Sequence, residues 1–196
     1  ETVGGTGFTP SYYDNGSLGN GEVTVVKDST VSVMVVNDYH ATEVNPVNIT
    51  VTGNKQLVGT AWTAKHSFNF RLEKLLADGS WEKLGEEATA KEGSTSFDFK
   101  DAFATESYPT HGSYYYRIIE LQPASPSGGI SYDKTVHSFV VHVADKDMNG
   151  QLEITEVVSD RPNTTVVTQT NNGWNVNANF TNTYSTSGSA TVTIDV

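Results

Sequence analysis

A chain of 196 residues carries a formal net charge of −11, with 12 lysines and arginines against 23 aspartates and glutamates. That balance excludes nucleic-acid binding, because little would neutralise phosphate, and it excludes a polybasic membrane patch. Cysteine is absent, which excludes disulfides and thiolate metal sites, and no apolar run is long enough to span a bilayer. Nine Tyr and eight Phe, amid abundant Gly, Thr, Val, Asn and Ser, read as all-β and extracellular. No signal-peptide pattern starts at Glu1, so the stretch reads as mature or trimmed.

Residues 1–41 hold three short strand patterns, around GFTPSYY, EVTVVKD and VSVMVVNDY. Asp14-Asn15-Gly16 and Gly19-Asn20-Gly21 are turn signals between the first two. Three strands of this length are marginal alone, so they read as the back end of a module that begins upstream. Residues 42–46 form a short linker, and a long module begins with VNITVTGNKQL. SFNFRLEKL alternates next, and Asp78-Gly79 turns it into SWEKL as a hairpin. A polar turn at Lys91–Gly93 precedes SFDF, and residues 102–110 are a short helical turn or a loop. Gly112 leads into YYYRIIEL, and Pro123, Pro126, Gly128 and Gly129 make a loop. Strand patterns follow at VHSFVVHVA, GQLEITEVV, TTVVTQT and NVNANFTNTY. Short strands at regular spacing with turn residues between them predict an all-β sandwich. The tail is a small-residue linker plus a strand pattern, Ala190 to Val196, that opens a following module.

Three of these strands carry one polar residue each on an otherwise apolar parity. Residues two apart on a strand face the same side. Val176, Ala178, Phe180, Asn182 and Tyr184 share a face; so do Val47, Ile49, Val51, Lys55 and Leu57; so do Tyr114, Tyr116, Ile118 and Glu120. A buried amide, ammonium or carboxylate needs partners, so Lys55, Glu120 and Asn182 form a candidate set. Read singly, Lys55 is a strand-end lysine snorkelling to water, Glu120 a solvated carboxylate and Asn182 an edge amide capping a turn. Burial would lower the lysine pKa and raise that of the glutamate. An echo links Val33, Val35, Asn37 and Tyr39 to Ala178, Phe180, Asn182 and Tyr184, which suggests tandem modules.

GNKQLVGTAW, SFNFRL, GSYYYRIIE, GISYD, VVHVADKDMNGQL and FTNTY, in this order, resemble the landmarks of Gram-positive pilin isopeptide-linkage domains of the streptococcal FctA type, found in major pilins and adhesin stalks. The resemblance covers roughly Val44 to Tyr184, and residues 1–41 resemble the end of a Cna B-type module. It implies immunoglobulin-like (Cna B-type) β-sandwich modules in tandem: the end of one at 1–41, a complete one at 44–184, and a linker with the first strand of another at 185–196. It implies an intramolecular amide, made without any cofactor, between Lys55 and Asn182 and catalysed by Glu120. A protonated Glu120 is expected to hydrogen-bond to the Asn182 carbonyl, polarise it, and shuttle protons as ammonia leaves. Asn37 is the expected acceptor of a second such bond, its lysine lying upstream; Lys27 is a poorly placed substitute. The implied role is a structural stalk module on the bacterial surface, not an enzyme, whose partners are neighbouring modules of the same protein. The alternative is an adhesin module that recognises glycan or host protein. No LPxTG-like or YPK motif occurs here, which favours a large repeat-bearing surface protein over a single pilin subunit. The open edge of residues 1–41 and the strand 190–196 are candidates for pairing between chains.

Other motifs have plainer readings. Asp145, Asp147, Asn149, Gly150 and Glu156 fit a D-x-D-x-N-G calcium loop with Glu at its twelfth position. The flanks are strand-like where that loop needs helices, so the expectation is a hairpin turn using Asn149-Gly150 in the type I′ manner, with weak Ca²⁺ binding as the alternative. Among the histidines, His137 and His142 have opposite parity and make no simple metal pair. Asp133, near Ser131 and His137, suggests a triad only superficially and reads as a turn residue. No nucleophile-elbow, zincin or P-loop motif occurs.

Overall fold

The computed structural model describes residues 6–46, 48–125 and 128–186. Period-two alternation becomes strand here wherever a second sheet exists to bury the apolar parity. The strands are β1 Phe8–Asp14, β2 Ser17–Gly19, β3 Val33–Tyr39, β4 Ile49–Val58, β5 Ser67–Leu75, β6 Trp81–Lys83, β7 Ala88–Lys91, β8 Ser96–Asp98, β9 Gly112–Glu120, β10 Ile130–Ser131, β11 His137–Ala144, β12 Glu153–Ser159, β13 Thr165–Thr170 and β14 Gly173–Tyr184. The fold is all-β, with two sheets packed face to face. One sheet has the order β10-β14-β4-β8, with β13 also on β14; the facing sheet has the order β12-β11-β9-β5-β6, with β7 also on β5. Their inward rows form a single core that includes Val51, Phe70, Leu72, Phe97, Tyr116, Ile118, Phe139, Val141, Val176 and Phe180.

The first and last long strands of the module, β4 and β14, lie side by side and parallel, with Trp174 opposite Ile49 and Phe180 opposite Lys55. Their outer face holds that register. Asn54 Nδ2 donates to Asn177 Oδ1 and Asn179 Oδ1, each at 3.1 Å, and Asn177 Nδ2 donates to Thr52 Oγ1 at 3.0 Å. A one-residue slip would break this polar ladder and turn the core row outward. On the inner face, Gly53 interrupts the apolar row because a Cβ there would lie 2.1 Å from Phe97 Cζ and 2.6 Å from the Ala178 carbonyl oxygen.

Several expectations need correction. EVTVVKD is not a strand; no described sheet covers it, and Val25 and Val26 stay exposed. The partner of β1 on that side is β2, and β3 flanks β1 on the other. The 42–46 linker is pinned to the body by bridges from Thr42 to Gln151 and from Val44 to Tyr108. Of the two readings for residues 102–110 the loop is the one seen, a turn through Thr105 and then irregular chain, and it buries Ala102, Phe103 and Tyr108. The loop between β11 and β12 is longer than a two-residue hairpin, and its left-handed residues are Met148 and Gly150 rather than Asn149. Val47, Pro126 and the tail strand 190–196 lie outside the described residues.

His137 is fully buried on β11, with Nδ1 2.7 Å from Thr165 Oγ1 and its ring 4.2 Å from that of Phe180. Burial depresses its pKa below the ordinary histidine value, outweighing the pull of nearby Asp133. A depressed imidazole contributes stability that is complete above the unfolded pKa and is lost as pH falls, since the unfolded chain takes up a proton that the folded chain resists. The expected result is an unfolding midpoint that drops from about pH 7 to about pH 5 more steeply in the parent than in His137→Asn. Parallel pH profiles in thermal melts of the two chains would refute this.

Candidate functional site

Lys55 projects inward near the end of β4, and Asn182 projects inward near the end of β14, one same-face step beyond the register partner Phe180. Glu120 ends β9 in the facing sheet, opposite Phe70 of β5. The three are 3%, 0% and 5% exposed, respectively, for Lys55, Asn182 and Glu120. They therefore meet inside the sandwich, and the solvated readings of each residue do not apply. Lys55 Nζ donates to Glu120 Oε2 at 2.7 Å, and Asn182 Nδ2 donates to Glu120 Oε1 at 2.6 Å.

The surroundings are aromatic. Lys55 Nζ lies 5.1 Å from the centroid of Phe68, 5.9 Å from that of Phe180 and 6.0 Å from that of Phe70. Phe70 stacks on Phe97 at 3.8 Å and so walls the site from within. Removing two opposite charges from water costs several kcal/mol per ion. The electrostatics follow: burial lowers the pKa of Lys55 against the pull of Glu120, and burial raises that of Glu120 against the pull of Lys55 and Asn182. Both shifts favour the neutral amine and the neutral acid.

The fourth partner was not legible as a functional residue in the sequence. The main-chain N–H of Asp133 donates to Asn182 Oδ1 at 2.7 Å. A main-chain N–H can only donate, so this contact assigns the orientation of the carboxamide. The contact differs from the one expected: Glu120 faces the amide nitrogen of Asn182, not its carbonyl. The Asp133 carboxylate is also engaged, accepting from Thr181 N at 2.8 Å and from Thr135 N at 2.9 Å. Burial opposes its ionisation, but those hydrogen bonds and nearby Lys55 outweigh burial and hold its pKa below the usual aspartate value. Only the pairing of β10 with the end of β14 could have hinted that GISYD passes this point.

The other candidates lie elsewhere. Asn37 sits on exposed β3, opposite Pro10 of β1. Asp145 and Asp147 accept from main-chain amides of their own loop: Oδ1 of each from Asn149 N, and Asp145 Oδ2 from Gly150 N. Glu156 is on β12 opposite His142. Among the described residues no group of three or more His, Asp or Glu side chains could hold a metal ion. His40, His111 and His142 line one open cleft of about 600 Å³ beside Asp145.

Residues 51–185 match the family described as FctA, the Spy0128-like isopeptide containing domain. The chain belongs to the FctA family. The FctA match begins in β4 and runs one residue past β14, so it takes in Lys55, Glu120 and Asn182. FctA-type modules are structural rather than enzymatic, and their setting is extracellular, at the Gram-positive cell surface. No curated protein matches the chain. Among solved structures, the major pilin of Streptococcus pyogenes is similar at 20% identity and a TM-score of 0.39, covering 74% of this chain and 50% of that one. The T-13 major pilin from Streptococcus pyogenes is similar at 22% identity and a TM-score of 0.41, covering 74% and 54%. The T3.2 major pilin from the same species is similar at 22% and 0.38, covering 74% and 55%. The chain thus spans about half the length of these pilins.

Proposed function

We infer that this FctA module crosslinks itself once, through an amide between Lys55 and Asn182, and serves as a covalently tied shaft segment of a surface pilus or adhesin. The observation that carries this reading is a single carboxylate, Glu120, that accepts hydrogen bonds from both prospective partners in the buried core. Proton transfer from Lys55 to Glu120 yields a neutral amine and a neutral acid, the direction in which burial pushes both groups. The amine Nζ bonds to Asn182 Cγ. Glu120 gives its proton to Nδ2 and takes one from Nζ, and the Cγ–Nδ2 bond breaks with release of one ammonia. The folded module supplies proximity, worth about 7–11 kcal/mol in favourable cases. The step needs no cofactor and happens once per chain.

The topology gives this bond a mechanical meaning. Parallel neighbours β4 and β14 are the entry and exit strands of the module. A pull applied at Ile49 and Tyr184 would travel along β4 to Lys55, cross to Asn182 and leave, without loading the other strands. The uncovered apolar side chains of residues 18–35, among them Leu18, Val25, Val26 and Met34, support the tandem arrangement in which 1–41 completes a preceding module, 44–184 is the crosslinked one and 185–196 leads into the next. In that arrangement Asn37 is the acceptor of an equivalent bond, and a longer chain would lose a second ammonia that this one does not.

The test is the intact mass of the purified chain, followed by a protease digest. The expected mass is lower than calculated by one ammonia, with a branched peptide joining the Lys55 and Asn182 segments. A full calculated mass would sink the reading.

A further inference from the structure

We propose that Asp133 builds the oxyanion site for this bond: its main-chain N–H receives the charge that develops on Asn182 Oδ1, and its carboxylate is the latch that keeps that N–H aimed. The inference rests on the isopeptide reading and extends it to a residue outside the Lys–Glu–Asn set.

When Nζ adds to Cγ, the C=O double bond opens and its electron pair moves onto Oδ1. Collapse of that oxyanion expels Nδ2 as ammonia and restores the carbonyl, so Asp133 donates a hydrogen bond throughout and transfers no proton. Lys55 adds to the carbon of the carboxamide, and Glu120 acts on its nitrogen side. Glu120 is spent on Nζ and Nδ2. The described contact to Oδ1 is the Asp133 N–H, at 2.7 Å, within the range at which such donors act on a developing oxyanion. Removing one donor of this kind elsewhere costs roughly 100- to 1,000-fold in rate.

The latch is a two-point clamp across one sheet edge. The Asp133 carboxylate accepts from the N–H of Thr181, the residue immediately before Asn182 on β14, while the Asp133 N–H reaches the side chain of Asn182 itself. The second carboxylate oxygen accepts from Thr135 N, and Gln122 Nε2 donates to the Asp133 carbonyl oxygen at 3.3 Å. The segment between β10 and β11 is thereby fastened on both sides of the donor. The charge of Asp133 is not its main contribution: it raises the pKa of Glu120 but also that of Lys55, favouring the acid while disfavouring the free amine. These effects oppose each other, so Asp133 acts by position.

The experiment follows ammonia loss by mass spectrometry at fixed times after cell-free synthesis of the full chain. Asp133→Ala keeps the N–H but loses the latch, and is expected to slow crosslinking by roughly tenfold to a hundredfold. Asp133→Asn keeps an acceptor oxygen for one of the two amides and is expected to recover part of the rate. Val157→Ala, a cavity on the outer strand β12 of the facing sheet, is the control for destabilisation alone and is expected to stay close to the parent. A second readout does not depend on the reaction. In the unreacted Glu120→Gln chain, the Asp133 amide should be protected from hydrogen exchange, and adding Asn182→Ala should remove that protection. If the parent crosslinks while Asp133→Ala keeps pace, or if Val157→Ala slows as much as Asp133→Ala, this inference fails alone. A parent chain at its full mass fails the isopeptide reading and this inference with it.

Discussion

Glu120→Ala is expected to leave the chain at its full calculated mass and to lower its stability by about 5 kcal/mol or more. Two losses combine. Without a proton carrier the amide does not form, and a crosslink that encloses nearly the whole module is worth about 5 kcal/mol by the chain-entropy argument for a long closed loop. The substitution also strands the Lys55 ammonium, 3% exposed, among Phe68, Phe70 and Phe180. Removing one partner of a buried ion pair costs about 3–5 kcal/mol, reduced to the extent that Lys55 sheds its proton. For a chain of this length, the crosslink term alone corresponds to a drop of roughly 10–20 °C in Tm. Intact mass and thermal unfolding, measured on the same preparation, check both parts. Lys55→Met also prevents the amide but leaves Glu120 hydrogen-bonded to Asn182, and burial already pushes that carboxyl toward its neutral form, so it should lose less. A Glu120→Ala chain that is one ammonia light would remove Glu120 from the mechanism.

Phe70→Ala is expected to cost about 3–5 kcal/mol as a core truncation and, in addition, to slow the crosslink. The ring is fully buried, stacks on Phe97 at 3.8 Å and sits 5.0 Å from Phe180. It also lies opposite Glu120 in the β5–β9 register and 6.0 Å from Lys55 Nζ. Its loss opens the dry wall of the site. Water then stabilises the ammonium and the carboxylate, and both pKa values move back toward their ordinary ranges. Less of the neutral pair is present, so the fraction crosslinked at a fixed time after synthesis should fall. Leu72→Ala, on the same inward row of β5 but away from the trio's contacts, should show the stability loss with a smaller kinetic effect. Denaturant unfolding and timed mass spectra distinguish the two; equal kinetic losses would mean that general destabilisation, not solvation of the site, sets the rate.

Both predictions depend on a wall and a carboxylate supplied by the sheet that faces Lys55 and Asn182. Neither residue could have indicated this wall from its own strand, because a parity states which side a residue faces and not what stands opposite.

Much of the module was legible because its information is local. Alternation in ITVTGNKQLV, HSFVVHVA and the strand ending in Tyr184 dictates an inward row, since only one parity can be buried without exposing apolar surface. That rule was enough to single out Lys55, Glu120 and Asn182, each polar on an apolar row. It failed for EVTVVKD, where the alternation is present but the segment forms no strand and stays exposed, and for Asn149-Gly150, whose loop is shaped by Asp145 and Asp147 capping its amides. The parallel pairing of β4 with β14 is long-range and depends on which strands the whole chain leaves as neighbours. So does the arrival of the Asp133 N–H at Asn182 Oδ1, which belongs to the backbone and carries no mark in the residue types. By itself, then, the sequence determined the sandwich class, the inward rows and the three polar residues within them, because each follows from period-two geometry. Only the tertiary structure decided that Glu120 faces the nitrogen of Asn182 and that a main-chain amide faces its oxygen, because the orientation of a carboxamide is set by the donors and acceptors that distant segments bring to it.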